Sequence, residues 1–300
     1  MRLRVLATTG VVLAVGAWLA PAAGASALIG RNARDVELQV DSRGRALLTY
    51  RSKGRVWHVL AWGAVNATHP AAGRPQVEFR LDYSGGWGSF GRPAWQTFRN
   101  TCGPYRGPRL HWLVIACTAR DGSHWAVQSW QRMLPNYGLR PKGRRGAWEL
   151  RLSHWRGPLP KLEVRFGWTH RRFQQLYGRY TYLGRPVHGF TSTPRGNPLD
   201  GFGRNVYLDT LASAYGPGWR RENSFLTHRG TGGFCYGFYP HGTRPSGTGS
   251  RYRATVIGPG VLPDAYWERS SPGSYDAELD RAANDDLRVL LARDGLCSPK

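Results

Sequence analysis

Apolar and polar residues alternate in short runs along most of this chain, and that period of two residues predicts β-strands. The first clear run covers residues 36–40, where valine and leucine alternate with glutamate and glutamine. Two further apolar runs, at 46–50 and 56–64, follow short turn-forming segments that contain serine and glycine. The three runs predict an antiparallel meander.

The clearest predicted hairpin joins residues 110–118 to residues 123–133 through the dipeptide Asp121-Gly122. Asp-Gly favours the left-handed dihedrals of a type I′ turn, the tight turn that suits paired strands. Trp125 and Trp130 are an odd number of positions apart, so their side chains point to opposite faces of the second strand. We therefore expect the two rings not to share one core.

Other short apolar runs predict more strands, and helical periodicity is scarce until the end of the chain. The additional predicted strands cover 76–83, 148–155, 162–168, 179–184, 205–210, 224–227, 233–239 and 252–257. The sequence therefore predicts a mainly β protein of antiparallel, sandwich-like sheets with a C-terminal α-helix. Residues 157–160, Gly-Pro-Leu-Pro, form a connector, so the chain is either one elaborated sandwich or two β modules, at 28–158 and 159–300.

The one predicted helix covers residues 275–293. Ser274 is a suitable N-cap, and acidic residues in the first turns complement the positive end of the helix dipole. The helical spacing of four apolar residues predicts one buried stripe, which consists of Leu279, Ala283, Leu287 and Leu290. We expect this helix to close the C-terminal module.

The first 27 residues have the features of a secretory signal peptide. Arg2 and Arg4 precede an apolar run, and Ala25 and Ala27 supply the small residues that a cleavage site needs. The run is about 16 residues long, shorter than the roughly 20 of a membrane-spanning helix. We therefore expect residues 1–27 to be removed, no transmembrane segment to remain, and the mature protein to be secreted or cell-wall associated. An uncleaved anchor is the alternative.

Four cysteines follow the predicted leader, and an even number in an exported chain indicates two disulfides. Their neighbourhood in the sequence favours Cys102–Cys117 and Cys235–Cys297 among the three possible pairings. No CxxC spacing occurs, and the histidines show no metal-ligand spacing. We therefore predict neither a bound metal nor a cofactor.

The chain carries a formal net charge of +23, from 42 lysines and arginines against 19 acidic residues. A charge of this size attracts anionic polymers over a long range. Acidic wall polymers, phospholipid surfaces and extracellular nucleic acid would all be attracted. Compositional bias is the alternative explanation, because Arg, Ala, Gly and Pro are abundant together.

One short motif matches a nucleotide-binding pattern, but the residues around it lack the other features of such a site. Residues 86–91 match GxGxxG, but Pro93 follows closely and the next acidic residue is Asp121. A dinucleotide-binding loop opens a helix and is followed by an acidic residue about 20 positions later. We therefore expect no nucleotide partner.

Two carboxylates are the candidate catalytic residues. Glu222 follows Trp219 and two arginines, and Glu268 follows Trp267 and precedes an arginine. Glycosidases use two carboxyl groups, and a carboxylate between an aromatic ring and arginines suits a sugar site. An ordinary surface ion pair has the same composition, so both interpretations remain open.

A cysteine enzyme is a further alternative, because a thiolate paired with a histidine can transfer acyl groups. Residues 187–189, Val-His-Gly, and 232–235, Gly-Gly-Phe-Cys, resemble the histidine-glycine and glycine-cysteine elements of L,D-transpeptidases. The resemblance covers only these few residues, and the gap between them is too long for that family. A disulfide at Cys235 would exclude this reaction.

Aromatic rings and arginines together favour a glycan-binding function, because rings stack on sugars and guanidinium groups bind carboxylate or phosphate. The candidate binding residues lie in polar, loop-like segments or share a strand face, and are Trp219, Arg220, Trp267, Arg269, Gln128 and Trp130. We therefore predict a secreted, non-catalytic protein that binds glycan or an anionic wall polymer. The alternatives are a secreted carbohydrate- or peptidoglycan-active enzyme and a structural or protein-interaction module.

Overall fold

A computed structural model describes residues 26–66, 76–133, 146–171, 173–189, 204–238, 248–291 and 297. Strands dominate these residues and pair antiparallel, and one longer helix lies near the C-terminus. The predicted fold class is therefore confirmed. The predicted signal peptide lies almost entirely outside the described residues.

The strands of the described segments are, in chain order, β1 (Ala27–Arg31), β2 (Arg34–Val40), β3 (Ala46–Ser52), β4 (Arg55–Trp62), β5 (Arg80–Asp82), β6 (Gly103–Pro104), β7 (Leu113–Thr118), β8 (His124–Met133), β9 (Gly146–Trp155), β10 (Lys161–Thr169), β11 (Phe173–Tyr182), β12 (Arg185–Pro186), β13 (Val206–Ser213), β14 (Gly216–Phe225), β15 (Gly233–Phe238), β16 (Arg251–Val256) and β17 (Ala265–Ser270). The helices are α1 (Trp87–Phe90) and α2 (Ala277–Leu290), and a 3₁₀ turn covers Ala94–Thr97.

These strands form four sheets within the part of the chain that the structure describes. Sheet 1 has the order β1-β9-β8-β7-β6, and sheet 2 has the order β2-β3-β4-β5. Sheet 3 has the order β14-β13-β16-β17, and in sheet 4 β11 pairs with β10, with β15 and, at its end, with β12. The meander predicted over residues 36–64 is confirmed as β2 to β4.

Sheets 1 and 2 share one apolar core. Trp125, Val127 and Leu152 of sheet 1 pack with Leu48 and Val59 of sheet 2, and all five are fully buried. Burial of each such side chain stabilises the fold by about 1.5–3 kcal/mol. This core places sheet 2 on one face of sheet 1.

The opposite face of sheet 1 contributes to a second core. Trp130 there joins Tyr207 of sheet 3 and Phe166 of sheet 4. Trp125 and Trp130 therefore do belong to different cores, as their spacing predicts. Strands on both sides of residue 158 build this second core, and the division of the chain into two modules stays a prediction.

The turn of the β7–β8 hairpin differs from the predicted type I′ turn. A type I′ turn needs positive φ at both central residues, but within this turn only Gly122 is left-handed, with φ of 82°. The Gly122 N–H donates to the carbonyl of Ala119, whose own N–H donates to the carbonyl of Ser123. Asp121 keeps ordinary backbone geometry, and its carboxylate caps the turn by accepting hydrogen bonds from Ser123.

Helix α2 begins later than predicted and buries a different face. Asp276 is the N-cap, because its carboxylate accepts two N–H groups of the first turn, so the prediction of Ser274 was wrong. Leu279 is 61% exposed, and the predicted buried stripe was wrong at that position. Asp280 is buried instead, since it accepts a backbone N–H from the β10–β11 turn. The predicted end, residue 293, lies outside the described residues.

Two disulfides cross-link the chain in the predicted pairing, Cys102 to Cys117 and Cys235 to Cys297. The second bridge ties β15 to the segment that follows α2. Disulfides persist in oxidising compartments, so the two bridges indicate that the protein folds in such an environment. Among the described helices, none combines the length and the apolar character that crossing a membrane requires.

Removing the Cys235–Cys297 bridge, by replacing both residues with alanine, should lower the free energy of unfolding by about 4 kcal/mol, because it cross-links positions 62 residues apart in the unfolded chain. Removing the Cys102–Cys117 bridge, with a separation of 15 residues, should cost about 3 kcal/mol. Chemical denaturation of the two double variants measures both losses. A clearly larger loss for the shorter bridge would contradict the chain-entropy explanation.

Candidate functional site

Glu222 is buried on β14, on the side of sheet 3 that faces sheet 4. Its Oε1 accepts a hydrogen bond from the Tyr236 hydroxyl at 2.9 Å and lies 3.4 Å from the Tyr215 hydroxyl. Burial, together with this carboxylate, raises the pKa of Tyr215, so the phenol stays neutral. Glu222 thus has partners inside the protein.

Glu268 lies on β17, at the other edge of sheet 3 and on the opposite face. It is paired across the strands with Arg253 and forms an ion pair with Arg251, and Arg253 donates to the carbonyl of Gln131 in sheet 1. Three strand spacings, or about 14 Å, separate the two edge strands. Glycosidase carboxyl groups lie about 5 to 9.5 Å apart across one bond, so the fold does not bring Glu222 and Glu268 together as a pair.

Trp219 and Trp267 also lie in strands of sheet 3, so the prediction of loop-like surroundings was wrong. The guanidinium of Arg253 stands 4.5 Å from the Trp219 ring on the face toward sheet 1. Trp267 packs against the second core on the other face. The two rings therefore do not share one binding surface, although Arg220 and Arg269 lie in one cross-strand row on the face toward sheet 4.

Gln128 and Trp130 are fully buried on β8. Gln128 Nε2 donates to the carbonyl of His111 at 2.8 Å, and its Oε1 accepts the N–H of Asp264 at 2.9 Å. The Trp130 indole donates to the Asp264 carboxylate at 2.8 Å. These two side chains position the segment before β17, and a polymer in solution cannot reach them.

An ion-pair cluster is buried where sheet 1 faces sheet 3. The Glu149 carboxylate accepts hydrogen bonds from Arg151 at 2.8 Å and from Arg132 at 3.2 Å. Arg132 also donates to the hydroxyl of Tyr207 in sheet 3 at 2.7 Å. Burial opposes ionisation of Glu149, but the two guanidinium groups lower its pKa to about 2. The carboxylate is therefore charged, and the cluster connects the two sheets.

A second buried carboxylate, Asp209 of sheet 3, holds two more arginines. It accepts from Arg221 at 2.5 Å and from Arg253 at 2.7 Å. Arg253 reaches on to the carbonyl of Gln131 in sheet 1 at 3.2 Å. Because both guanidinium groups oppose the desolvation of the carboxylate, the pKa of Asp209 is lowered despite its burial. This network, like the first, serves the contact between sheets.

Ser123, His154 and Asp121 lie together, a grouping that sequence spacing does not reveal. The Ser123 hydroxyl donates to Asp121 at 2.7 Å and lies 2.9 Å from His154 Nε2, while Nδ1 contacts the carbonyl of Ala64. Desolvation lowers the pKa of His154 to about 4. In a Ser-His-Asp triad the acidic side chain orients the imidazole ring of the histidine. Here Asp121 instead accepts a hydrogen bond from the Ser123 hydroxyl. Ser123 is also buried. The trio therefore stabilises the end of the hairpin.

Exposed aromatic side chains gather on the outer side of sheet 2. Trp87 is 59% exposed, and Phe90 and Trp95 are each exposed by more than a third. These three side chains, all within residues 87–95, form the aromatic face. Exposed apolar patches of this kind mark interaction sites.

Ring contacts hold the aromatic face on sheet 2. Trp95 stacks parallel on His58 of β4, with ring centroids 4.2 Å apart. Phe90 rests on Trp62 of the same strand at 5.7 Å. Trp95 and Phe90 are therefore held in position at the surface of sheet 2.

Asp82 and a glycine fix the turn beneath the rings. The Asp82 carboxylate accepts the N–H groups of Ser84 at 2.8 Å and of Ser89 at 3.0 Å. Burial opposes ionisation, yet these hydrogen bonds lower the pKa of Asp82. Gly86 has φ of 116°, and a Cβ there would lie 2.6 Å from the Cβ of Ala94. Only glycine suits this position.

Arginines surround the aromatic face. The Arg45 guanidinium lies 5.3 Å from the centroid of Phe90, and Asp41 holds it in place at 2.6 Å. Further exposed arginines lie in or beside the same segment, at positions 80, 92 and 99. Planar rings beside guanidinium groups can bind a sugar that carries an acidic group.

Cys235 cannot act as a nucleophile, because its sulfur is bonded to Cys297. The cysteine acyl transferase is thereby excluded. Within the described ranges, no group of three or more His, Cys, Asp and Glu side chains could hold a metal ion.

No family model, no curated protein and no solved structure matches this chain. The function therefore has to be argued from the side chains themselves, and the aromatic face is the best candidate for a binding surface.

Sequence reasoning missed the aromatic face, although a signal was present. The face includes residues of the GxGxxG match at 86–91, and in the structure residues 87–90 of that match form α1, a helix of four residues. Its three aromatic residues lie within 87–95 among Gly, Ser, Arg and Pro without strand alternation. No strand or helix periodicity directs the side chains of such rings toward an apolar core.

Replacing Glu149 by glutamine should lower the free energy of unfolding by about 3–5 kcal/mol, because Arg132 and Arg151 would lose their shared buried carboxylate. Glu163→Gln is the matched control, since Glu163 pairs with Lys161 at the surface and should cost under about 1 kcal/mol. Urea denaturation measures both. Equal, small losses would show that the buried cluster contributes little.

Stability should depend on pH through His154. The native state holds this imidazole with a pKa near 4, while the unfolded chain binds the proton near 6.5, so acid favours unfolding. Its contribution should be complete above about pH 6.5 and fall by about 3 kcal/mol as the pH drops to about 4. Denaturation midpoints measured across this range give the slope.

The His154→Gln variant should lose this part of the slope. His111→Gln, at an exposed histidine, should keep it. An unchanged slope in His154→Gln would exclude His154 as its source.

Proposed function

We propose that the protein binds a glycan outside the reducing cytoplasm, as a secreted or wall-associated protein, and that the aromatic face is its binding surface. The observation that carries the proposal is the exposure of Trp87 and Trp95 on a rigid turn. The exposed area of these rings does not stabilise the fold, and their flat faces suit stacking on sugar rings. The two disulfides support an oxidising compartment.

The arginines beside the aromatic face favour a glycan with acidic groups. Arg45 is held in place by Asp41 next to Phe90, and the net charge of +23 attracts polyanions before contact. Charge attraction weakens as salt rises, whereas stacking on rings persists. Binding of an acidic glycan should therefore weaken with salt without vanishing.

A carbohydrate-active enzyme finds less support. Glu222 and Glu268 lie on opposite faces of sheet 3, and Cys235 is in a disulfide. A protein-interaction module would use the same exposed rings, so the binding test has to separate a glycan from a protein surface.

The Trp87→Ala and Trp95→Ala variants should each bind an insoluble polysaccharide about tenfold more weakly, the change in Kd that corresponds to about 1.4 kcal/mol of lost contact. Pull-downs on chitin, cellulose and insoluble peptidoglycan across a salt series measure retention. Analysis of the soluble fraction for new reducing ends tests for cleavage.

Trp148→Ala is the matched control, because Trp148 is a half-exposed tryptophan on β9 in sheet 1, away from the aromatic face. It should bind like the unmodified protein. An equal loss in this control, or complete elution by salt alone, would contradict binding by the aromatic face. If none of the three polymers retained the protein, the protein-interaction module would be the remaining hypothesis.

A further inference from the structure

A cavity of about 440 Å³ lies between the β10–β11 turn and helix α2. Its lining includes His170 and Arg171 from the turn and Asp280, Arg281, Asp285 and Arg288 from the helix. Cavities of about 300–1,000 Å³ accommodate small ligands. This cavity belongs to sheet 4 and α2, so it is separate from the aromatic face on sheet 2.

The turn at the edge of this cavity has a strained backbone. His170 and Arg171 have φ of 56° and 54°, in the left-handed region that residues with a Cβ rarely adopt. Asp280 accepts the N–H of Arg171 at 2.8 Å, and Asn284 accepts the N–H of His170 at 3.2 Å. Helix α2 therefore holds the turn in a conformation that presents both side chains at the cavity.

Positive charge predominates around the cavity, with three arginines against two carboxylates. Asp280 already accepts hydrogen bonds from the N–H of Arg171 and from a side-chain amide, and Asp285 forms an ion pair with Arg288 at 3.3 Å. Within the described residues the Arg171 guanidinium has no ion-pair partner. His170 Nε2, by contrast, is enclosed by the protein and does not face the cavity.

We propose that this cavity binds a small oxyanion, a phosphate or a carboxylate group, through Arg171 and Arg281. The planar guanidinium of Arg171 can donate to two oxygens at once. Arg281, on helix α2 at the same cavity, adds a second positive charge. The proposal does not depend on glycan binding, because the two sites share no residue.

The test follows backbone amide resonances of the full protein during titration with sodium phosphate, sodium sulfate or sodium acetate at constant ionic strength. Binding in the cavity should shift the amides of residues 170 and 171 saturably. The Arg171→Gln variant should bind at least about tenfold more weakly, because it loses a charge-assisted hydrogen bond. Arg229→Gln, an exposed arginine outside the cavity lining, removes the same charge and should bind as the unmodified protein does.

The outcomes separate the two oxyanions and test the site itself. Saturation by phosphate and sulfate alone assigns a tetrahedral anion, and saturation by acetate assigns a carboxylate. Unsaturated shifts with every anion, or equal weakening in Arg171→Gln and Arg229→Gln, would overturn the proposal in favour of diffuse attraction to a cationic surface. Arg281→Gln, which leaves the strained turn unchanged, should also weaken binding.

Discussion

The buried pairing of arginines with carboxylates between sheets 1 and 3 is the interaction on which the other contacts depend. Charged groups lose their hydration when two sheets meet, and the loss is tolerated only where each charge finds an opposite charge and hydrogen bonds. Glu149 with Arg132 and Arg151, and Asp209 with its arginines, supply the opposite charges, although the two terminal nitrogens of Arg221 have no hydrogen-bond partner among the described residues. Sheet 2 packs on the far side of sheet 1, and sheet 4 packs on the far side of sheet 3. The position of the aromatic face depends in addition on the apolar core between sheets 1 and 2.

The same contact explains part of the unusual composition. The chain has 38 arginines and four lysines, and several of the arginines are buried in ion pairs. A guanidinium is planar, stays charged, and can bind two oxygens or stack on a ring, which an ammonium group cannot do as well. Arg132 uses both abilities, because it pairs with Glu149 and lies 4.5 Å from the ring of Tyr207. Compositional bias is therefore not the whole reason for the arginine content, and the net charge overstates the charge at the surface available to a polyanion.

Much of the fold could be predicted from the sequence, but little of the candidate site. The strand alternation at 36–64, the separation of Trp125 from Trp130 and the two disulfides are local or pairwise features, and the structure confirms them. The site residues were chosen for polar neighbours in the chain, and β14 and β17 instead place them inside sheets. Polar residues that are adjacent in the sequence indicate a loop only if their side chains face water. In sheet 3, such side chains instead face the polar side chains of sheet 1.

The sequence by itself determined that this is an antiparallel β protein with a C-terminal helix and disulfide cross-links. It could do so because side-chain alternation, turn residues and cysteine spacing are local features of the chain. Only the tertiary structure decided which charges are buried and which rings stay in water. Glu149 and Glu268 look alike in sequence, yet one is enclosed between two arginines and the other lies at the edge of sheet 3. Their environments depend on which sheet faces which, and contacts between distant parts of the chain, such as that of Arg132 with Tyr207, 75 positions later, decide that arrangement.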